Sequence, residues 1–254
     1  VLDVALERDE DGHAAYREVL VSVPRQSGKS SLALALLVSV MLETPGASLL
    51  YGAQSRQAAR ERLLNSWWPR LSTSPLKERA RLFRGFGNES LSIDGSSLQL
   101  LSSSPTSGHG ETVTACVVDE AWAHQDSRVE QAVRPAMLTK RDAQLWAMST
   151  AGDATSVWWK EKTEAGRAAV DAGLNRGVAY FEWGADPDAD PGLESTWTSA
   201  MPALGHLVDV DTVRTDFQAM APAEFARAML NVWPDPAGEG WQVISRDVWT
   251  AAEL

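Results

Sequence analysis

The chain has 254 residues, with 23 Lys or Arg against 34 Asp or Glu and a formal net charge of −11 at pH 7. That length fits one large α/β domain or a core with a small subdomain, and the acidic balance argues against a protein coated in basic, nucleic-acid-binding surface. Its single cysteine, Cys116, excludes an internal disulfide and a zinc cluster.

The N-terminus, Val1-Leu2-Asp3-Val4-Ala5-Leu6-Glu7, has no basic leader, so no signal peptide is expected. It also lacks an initiator Met and reads as the middle of a helix, which suggests a fragment. From Val19 a β-branched apolar run leads into Val23-Pro24-Arg25-Gln26-Ser27-Gly28-Lys29-Ser30-Ser31, and a strongly apolar helix follows over about Ser30–Glu43. Strand, tight loop and helix in that order form the layout of a phosphate-binding loop. Backbone N–H groups of the turn and of the helix start face the phosphates, and the helix dipole favours their charge. Lys29 is suited to reach the β- and γ-phosphates of ATP, and the Ser30 hydroxyl to ligate Mg²⁺. The loop departs from the usual Walker A pattern, because Val23 stands where a first glycine is expected.

Pro45-Gly46 breaks the chain after that helix. Ala47–Ala53 reads as a second buried strand and Ser55–Leu71 as a helix with Ser55 as N-cap. Ser72–Gly95 is interrupted by Pro, Gly and charge. Leu91-Ser92-Ile93 and Ser97–Ser102 flank Asp94-Gly95, a hairpin signal. Ser102–Gly110 is too polar and Gly-rich to pack. Val113–Val118 is a third buried strand, holding Cys116 as an inert thiol in a reducing setting, and it closes on Asp119-Glu120. An apolar strand ending in two acids suits ATP hydrolysis: the first holds Mg²⁺ and the second polarises the attacking water.

Ser127–Leu138 reads as a helix despite Pro135, Gln144–Met148 as a fourth strand and Ser156–Ala172 as a helix. The fourth strand runs into Ser149-Thr150-Ala151-Gly152, small residues suited to contact a γ-phosphate or water at a strand end. Strands alternating with helices imply βαβ units and a mainly parallel sheet. Beyond Gly173 the texture changes: a strand over Val178–Trp183, an acidic loop over Asp186–Pro191, two short helices over Val210–Met220 and Ala223–Leu230, then a linker from Pro234 to Gly240. The longest apolar stretch, Leu32–Leu42, is too short to span a bilayer. The 11 Trp residues are scattered, which suits packing better than a base-stacking platform.

Taken together, Val23 to Ser30, Val117-Val118-Asp119-Glu120-Ala121 and Ser149-Thr150-Ala151-Gly152 resemble the large terminase subunit of tailed bacteriophages, in its HK97-like branch. Arg-Gln-x-Gly-Lys-Ser after a proline is characteristic of that family's loop. Gln54-Ser55-Arg56-Gln57-Ala58 is similar to its segment after the second strand, and Leu230-Asn231-Val232-Trp233 to the Asn-x-Trp before its interdomain linker. The resemblance implies a P-loop NTPase fold of the ASCE type, a mainly parallel sheet flanked by helices with a small C-terminal lid. The division it suggests is an ATPase core over 1–173, a lid over 174–234 and a linker stub over 235–254 toward a nuclease domain absent from this chain.

The activity it implies is ATP hydrolysis driving double-stranded DNA into a procapsid, in the host cell cytoplasm and without a membrane. The portal protein, the small terminase subunit and further copies in a ring are the implied partners. By the resemblance Arg25, Lys29 and Glu120 act in catalysis, and Ser30 and Asp119 hold Mg²⁺. Arg25, Gln26, Ser27, Gly28, Lys29, Ser30, Ser31, Ser149, Thr150 and Ala151 bind the nucleotide or couple its hydrolysis to movement. Residues before Val1 would complete the adenine site. Some members carry a trans-acting arginine before the Asp-Glu strand; Ser107-Gly108-His109-Gly110-Glu111 offers none, which leaves Arg79, Arg81, Arg84, Arg128 and Arg134 as candidates. Lys160, Lys162, Arg167 and Arg176 form either a DNA-contacting patch or a solvated helix face. The competing readings are a helicase or remodelling ATPase, and a nucleotide-binding module without turnover.

Overall fold

A computed structural model describes residues 1–85, 87–101 and 112–234 of the protein. The Ser102–Gly110 stretch, the Ser107–Glu111 segment and the 235–254 stub lie outside the described residues. Among the described residues eight strands form one sheet: β1 (Tyr16–Ser22), β2 (Ser48–Gly52), β3 (Ala80–Phe83), β4 (Ser90–Ile93), β5 (Ser96–Leu100), β6 (Ala115–Asp119), β7 (Gln144–Ser149) and β8 (Gly177–Glu182). Their spatial order is β3-β4-β5-β2-β6-β7-β1-β8. The five strands from β2 to β8 run parallel and β5 is parallel to β2, while β3-β4-β5 is an antiparallel meander. Successive side chains on a strand point to opposite faces, and both faces are apolar here. Val19, Val21 and Val117 enter one core, whereas Leu20, Cys116 and Val118 enter the other. Burial on both faces explains why these strands read as continuous apolar runs.

A short N-terminal turn, α1 (Leu2–Ala5), precedes the sheet. Helix α2 (Lys29–Glu43) buries Ala33, Leu36, Leu37 and Met41, one stripe at helical spacing, into the first core. The segment expected as one helix over Ser55–Leu71 is three pieces: α3 (Arg56–Glu61), a wider π-helical stretch over Arg62–Trp67, and α4 (Trp68–Ser72). Pro69 has no N–H to donate to the carbonyl four residues back, so the regular ladder cannot continue through this region. Ser55 caps α3, accepting a bond from the Ala58 N–H at 3.1 Å. Helices α5 (Arg128–Met137) and α6 (Val157–Asp171) cover the opposite face, with Val133, Met137, Trp158 and Trp159 in the second core. Cys116 lies fully buried there, and burial pushes its thiol well above the usual range.

The interrupted stretch Ser72–Gly95 holds an unanticipated strand, β3. Its alternation of buried Ala80 with exposed Arg81 is too brief and too charged to stand out, and both suit an edge position. The strand after Gly173 is β8, hydrogen-bonded along β1 at the other sheet edge. Beyond it, α7 (Glu194–Ala200), also unanticipated, joins α8 (Val210–Ala219) and α9 (Pro222–Leu230) around a third core of Trp197, Val213, Phe225, Ala228 and Leu230. The rings of Trp197, Phe217 and Phe225 meet at centroid distances of 5.1 to 6.2 Å.

Candidate functional site

Strand β7 is inserted between β1, which feeds the phosphate-loop sequence, and β6, which ends in Asp119. The three sequence motifs therefore emerge side by side at the C-terminal ends of adjacent strands, where open α/β sheets bind ligands. Val23 continues the strand: its N–H donates to the Ser149 carbonyl at 2.9 Å, and its backbone is outside the left-handed region. A glycine is not needed at that position. The left-handed residues of the loop are Gln26 (φ 60°) and Gly28 (φ 83°), the latter opening α2.

Arg25, Gln26, Ser27, Gly28, Lys29, Ser30, Ser31 and Glu120 line one cleft of about 740 Å³, together with Arg62 and Arg70 and with Leu207, Asp209, Thr212, Asp216 and Met229 from the C-terminal part of the chain. Asp119 is fully buried and is not among the residues that line the cleft. The Ser30 hydroxyl donates to Asp119 Oδ2 at 3.0 Å, so loop and strand end are in direct contact. The Tyr51 hydroxyl from β2 donates to the same oxygen at 3.2 Å, and the Glu120 N–H donates to Oδ1 at 3.0 Å. Burial and the Asp119 carboxylate push the Tyr51 phenol well up, which keeps it a donor. Lys29 is folded over the loop, its ammonium donating to the carbonyls of Val23 at 3.2 Å and Pro24 at 3.1 Å. Burial lowers its pKa, against the opposing pull of Glu120 and Asp119.

Glu120 has left-handed backbone (φ 54°, ψ 48°), which few non-glycine residues adopt without a local reason. Among the described residues four non-glycine positions have positive φ. Gln26 and Glu120 line the cleft, Asn231 joins the motifs behind it, and Asp94 sits at a hairpin turn. Backbone strain of this kind gathers at functional sites.

Ser149, Thr150 and Ala151 are fully buried and do not line the cleft. Ser149 Oγ accepts the Trp122 backbone N–H at 3.0 Å, Thr150 Oγ1 donates to the Arg227 carbonyl at 3.1 Å, and the Ala151 N–H donates to Asn231 Oδ1 at 2.5 Å. Helix α9 and its cap thus dock onto the Ser149–Gly152 segment. The helix also meets the phosphate loop, where the Arg25 N–H donates to the Ala228 carbonyl at 2.9 Å and the Arg25 guanidinium lies 3.9 Å from Glu224.

Sequence reasoning did not single out Tyr51, Arg62, Arg70, Trp122, Arg227 or Asn231 as site residues. Only Asn231 left a trace, within Leu230-Asn231-Val232-Trp233. Of the arginines considered for a trans role, Arg79, Arg128 and Arg134 are each in ion pairs within the chain. Two of the four cations of the candidate basic patch are paired within the chain: Lys162 with Glu18 and Glu130 at 2.8 Å, and Arg167 with Glu182 at 2.6 Å.

A comparison with curated protein sequences finds no match. Solved structures share the fold. The HK97 bacteriophage large terminase matches with a TM-score of 0.70 at 19% identity, over 86% of this chain and 47% of that one. The large terminase of a thermophilic bacteriophage, in complex with ADP, gives 0.58 at 14% identity, over 86% and 48%. The large terminase ATPase domain of Thermus phage P74-26 gives 0.59 at 15% identity, over 90% of this chain and 95% of that one. The chain therefore spans about half the length of the first two of these proteins. A family model described as "Terminase large subunit, T4likevirus-type, N-terminal" matches residues 20–189, which contain the phosphate loop, Asp119-Glu120 and the Ser149–Gly152 segment. With the loop, the acidic strand end and the inserted strand β7 on one sheet, the chain belongs to the large terminase subunit family, in its N-terminal region.

Proposed function

We propose that this chain is the ATPase of a viral DNA-packaging motor, hydrolysing ATP to move double-stranded DNA into a procapsid. The observation that carries the reading is the joining of the phosphate loop to the acidic strand end, Ser30 Oγ to Asp119 Oδ2 at 3.0 Å, with Glu120 in the same cleft. Four cations, Arg25, Lys29, Arg62 and Arg70, line that cleft beside the acids Glu120, Asp209 and Asp216. The P74-26 relative is itself an ATPase domain, and the terminase of the thermophilic bacteriophage carries ADP.

In this reading Lys29 leaves the Val23 and Pro24 carbonyls and takes the β- and γ-phosphates, while the loop amides and the start of α2 cradle them. Desolvated and already held at the loop, the ammonium exchanges carbonyl partners for phosphate oxygens with little loss of hydration. Arg25, Gln26, Ser27, Gly28 and Ser31 complete the cradle. Ser30 and Asp119 offer the hard oxygen donors that Mg²⁺ takes alongside phosphate oxygens, and their spacing fits such an ion. When bound, Mg²⁺ neutralises charge on the β- and γ-phosphates. Glu120 orients the attacking water and accepts its proton. Ser149, Thr150 and Ala151 act from behind the cleft as the coupling between hydrolysis and α9. The lid of the core is the segment 174–234, which carries helices α7, α8 and α9.

Double-stranded DNA, the portal protein, the small terminase subunit and further copies in a ring are the proposed partners, and the host cell cytoplasm the proposed location. Among the described residues no helix is long and apolar enough to cross a membrane. The test pairs two variants. Glu120→Gln is expected to bind ATP as the parent does and to lose turnover, while Lys29→Ala is expected to lose both. Hydrolysis by Glu120→Gln at the parental rate overturns the assignment. ATP binding without phosphate release by the full-length protein, with portal and DNA present, overturns the motor reading.

A further inference from the structure

Glu120 is held by a residue that no motif includes. The short 3₁₀ turn Ala121–Ala123 after it folds Trp122 back, and the indole Nε1–H donates to Glu120 Oε2 at 2.8 Å. The same residue's backbone N–H is fixed to Ser149 Oγ on β7 at 3.0 Å, so the ring has a rigid base. One carboxylate oxygen is therefore occupied by the indole. Glu120 itself lines the cleft.

The indole is also met from the helical cluster. The Arg227 guanidinium on α9 lies over the Trp122 ring, 5.4 Å from its centroid. That guanidinium is itself fixed: Nη1 donates to the Ala151 carbonyl at 3.2 Å, and Nε and Nη2 form a fork with Glu224 at 2.8 to 3.0 Å. An unbroken series of contacts thus runs from α9 through Arg227 and Trp122 to the carboxylate of Glu120.

We propose that Trp122 is a positioning residue for Glu120, and that Arg227 sets the indole so that the placement of helix α9 governs the orientation of the water-activating carboxylate. The inference rests on the ATPase reading above. Holding one oxygen of a carboxylate fixes its plane and directs the other at the site of attack, and small misplacements of a catalytic group are costly in rate. Withdrawal of α9 removes Arg227 from the ring and frees the indole to turn, which links movement of the helical cluster to hydrolysis without any direct contact between α9 and the water.

Trp122→Phe keeps an aromatic face for Arg227 and deletes the N–H donor. Steady-state hydrolysis by the full-length protein and equilibrium binding of a fluorescent ATP analogue are measured for parent, Trp122→Phe, Arg227→Gln and the double variant, with thermal melting as the fold control. The expected result is kcat lowered by about 10- to 100-fold in Trp122→Phe, with KM and analogue affinity within about 2-fold. A smaller fall is expected in Arg227→Gln, and a double variant close to Trp122→Phe alone, since both substitutions act on one link. Parental kcat in Trp122→Phe overturns the proposal, as does a raised kcat, which would make the indole a restraint. Multiplicative effects in the double variant overturn the role of Arg227. Arg227→Met removes the cation while keeping an unbranched side chain and, if Arg227→Gln misfolds, takes its place in the same comparison. Absence of hydrolysis in the parent itself counts against the ATPase reading instead, so the two failures are distinct.

Discussion

Asn231 joins the helical cluster to the sheet, and its replacement gives a sharp test of how the two are held together. It is buried and caps α9 in the left-handed region (φ 57°). Its Oδ1 accepts the Ala151 N–H at 2.5 Å, and its Nδ2 donates to Ser22 Oγ at 2.9 Å and to the Trp183 carbonyl at 2.8 Å. In Asn231→Ala the Ala151 N–H and the Trp183 carbonyl lose these partners, each worth about 1–3 kcal/mol when buried unsatisfied; the Ser22 hydroxyl can rotate. Forcing alanine into the left-handed region adds about 1–2 kcal/mol. A total of about 3–8 kcal/mol is comparable with the whole stability of many domains, so α9 is expected to leave the sheet or the protein to unfold. Asn231→Gly, with no left-handed penalty, is expected to be less destabilised by about 1 kcal/mol. Urea denaturation gives the stabilities, and hydrogen exchange at Ala151 reports the docking contact. A loss under about 1 kcal/mol in Asn231→Ala, or equal losses in Ala and Gly, refutes the reasoning.

Two further outcomes concern stability. Glu89, fully buried, accepts bonds from Arg56 at 2.7 Å and Arg60 at 2.8 Å. Burial pushes its carboxyl up, but the two guanidiniums outweigh that and hold it down at about 2, against an ordinary 4.5. A pKa lowered on folding gives stability that is complete above the ordinary value and lost as pH falls toward 2. Glu89→Gln should cost about 1–3 kcal/mol near neutral pH, less than a fully enclosed pair because both arginines stay partly hydrated. The gap between the urea midpoints of parent and variant should narrow from about pH 6 to about pH 3; a constant gap refutes the assignment. A Cβ at Gly166 would lie 2.5 Å from Tyr180 Cδ2 and 2.6 Å from its Cγ, so Gly166→Ala forces α6 away from β8. Overpacking of about 1–3 kcal/mol exceeds the roughly 1 kcal/mol gained from helix propensity, and a variant more stable than the parent in urea counts against it.

Where an element's pattern was set by its own burial or turn residues, it could be read from the chain. Helix α2 shows its buried stripe, β6 its apolar run and the Asp94-Gly95 hairpin its turn residues, because each answers to local geometry and burial. Strand β3 was hidden because an edge strand exposes half of its four residues and carries arginine. Helix α7 was hidden in a mixed Glu-Ser-Thr-Trp segment whose apolar face is defined by the packing of α8 and α9 against it. The apparent defect at Val23 has a simple cause: the residue extends β1 toward β7 and never needs glycine's freedom. Lys162 and Arg167 read as surface cations because their acidic partners lie on other elements.

By itself the sequence determined the chemistry at hand: a loop with Lys29 and Ser30 at a helix start, and a strand ending in Asp119-Glu120. Those groups are defined by residues adjacent in the chain, so order and spacing reveal them. Only the tertiary structure decided how they act together. It inserts β7 between the two motif strands and turns Ser149, Thr150 and Ala151 inward toward α9. It lays the Trp122 indole against Glu120 and brings Asn231 to Ser22 across 209 positions of sequence. Such contacts arise from packing between elements distant in the chain, and no local pattern of residue types encodes them.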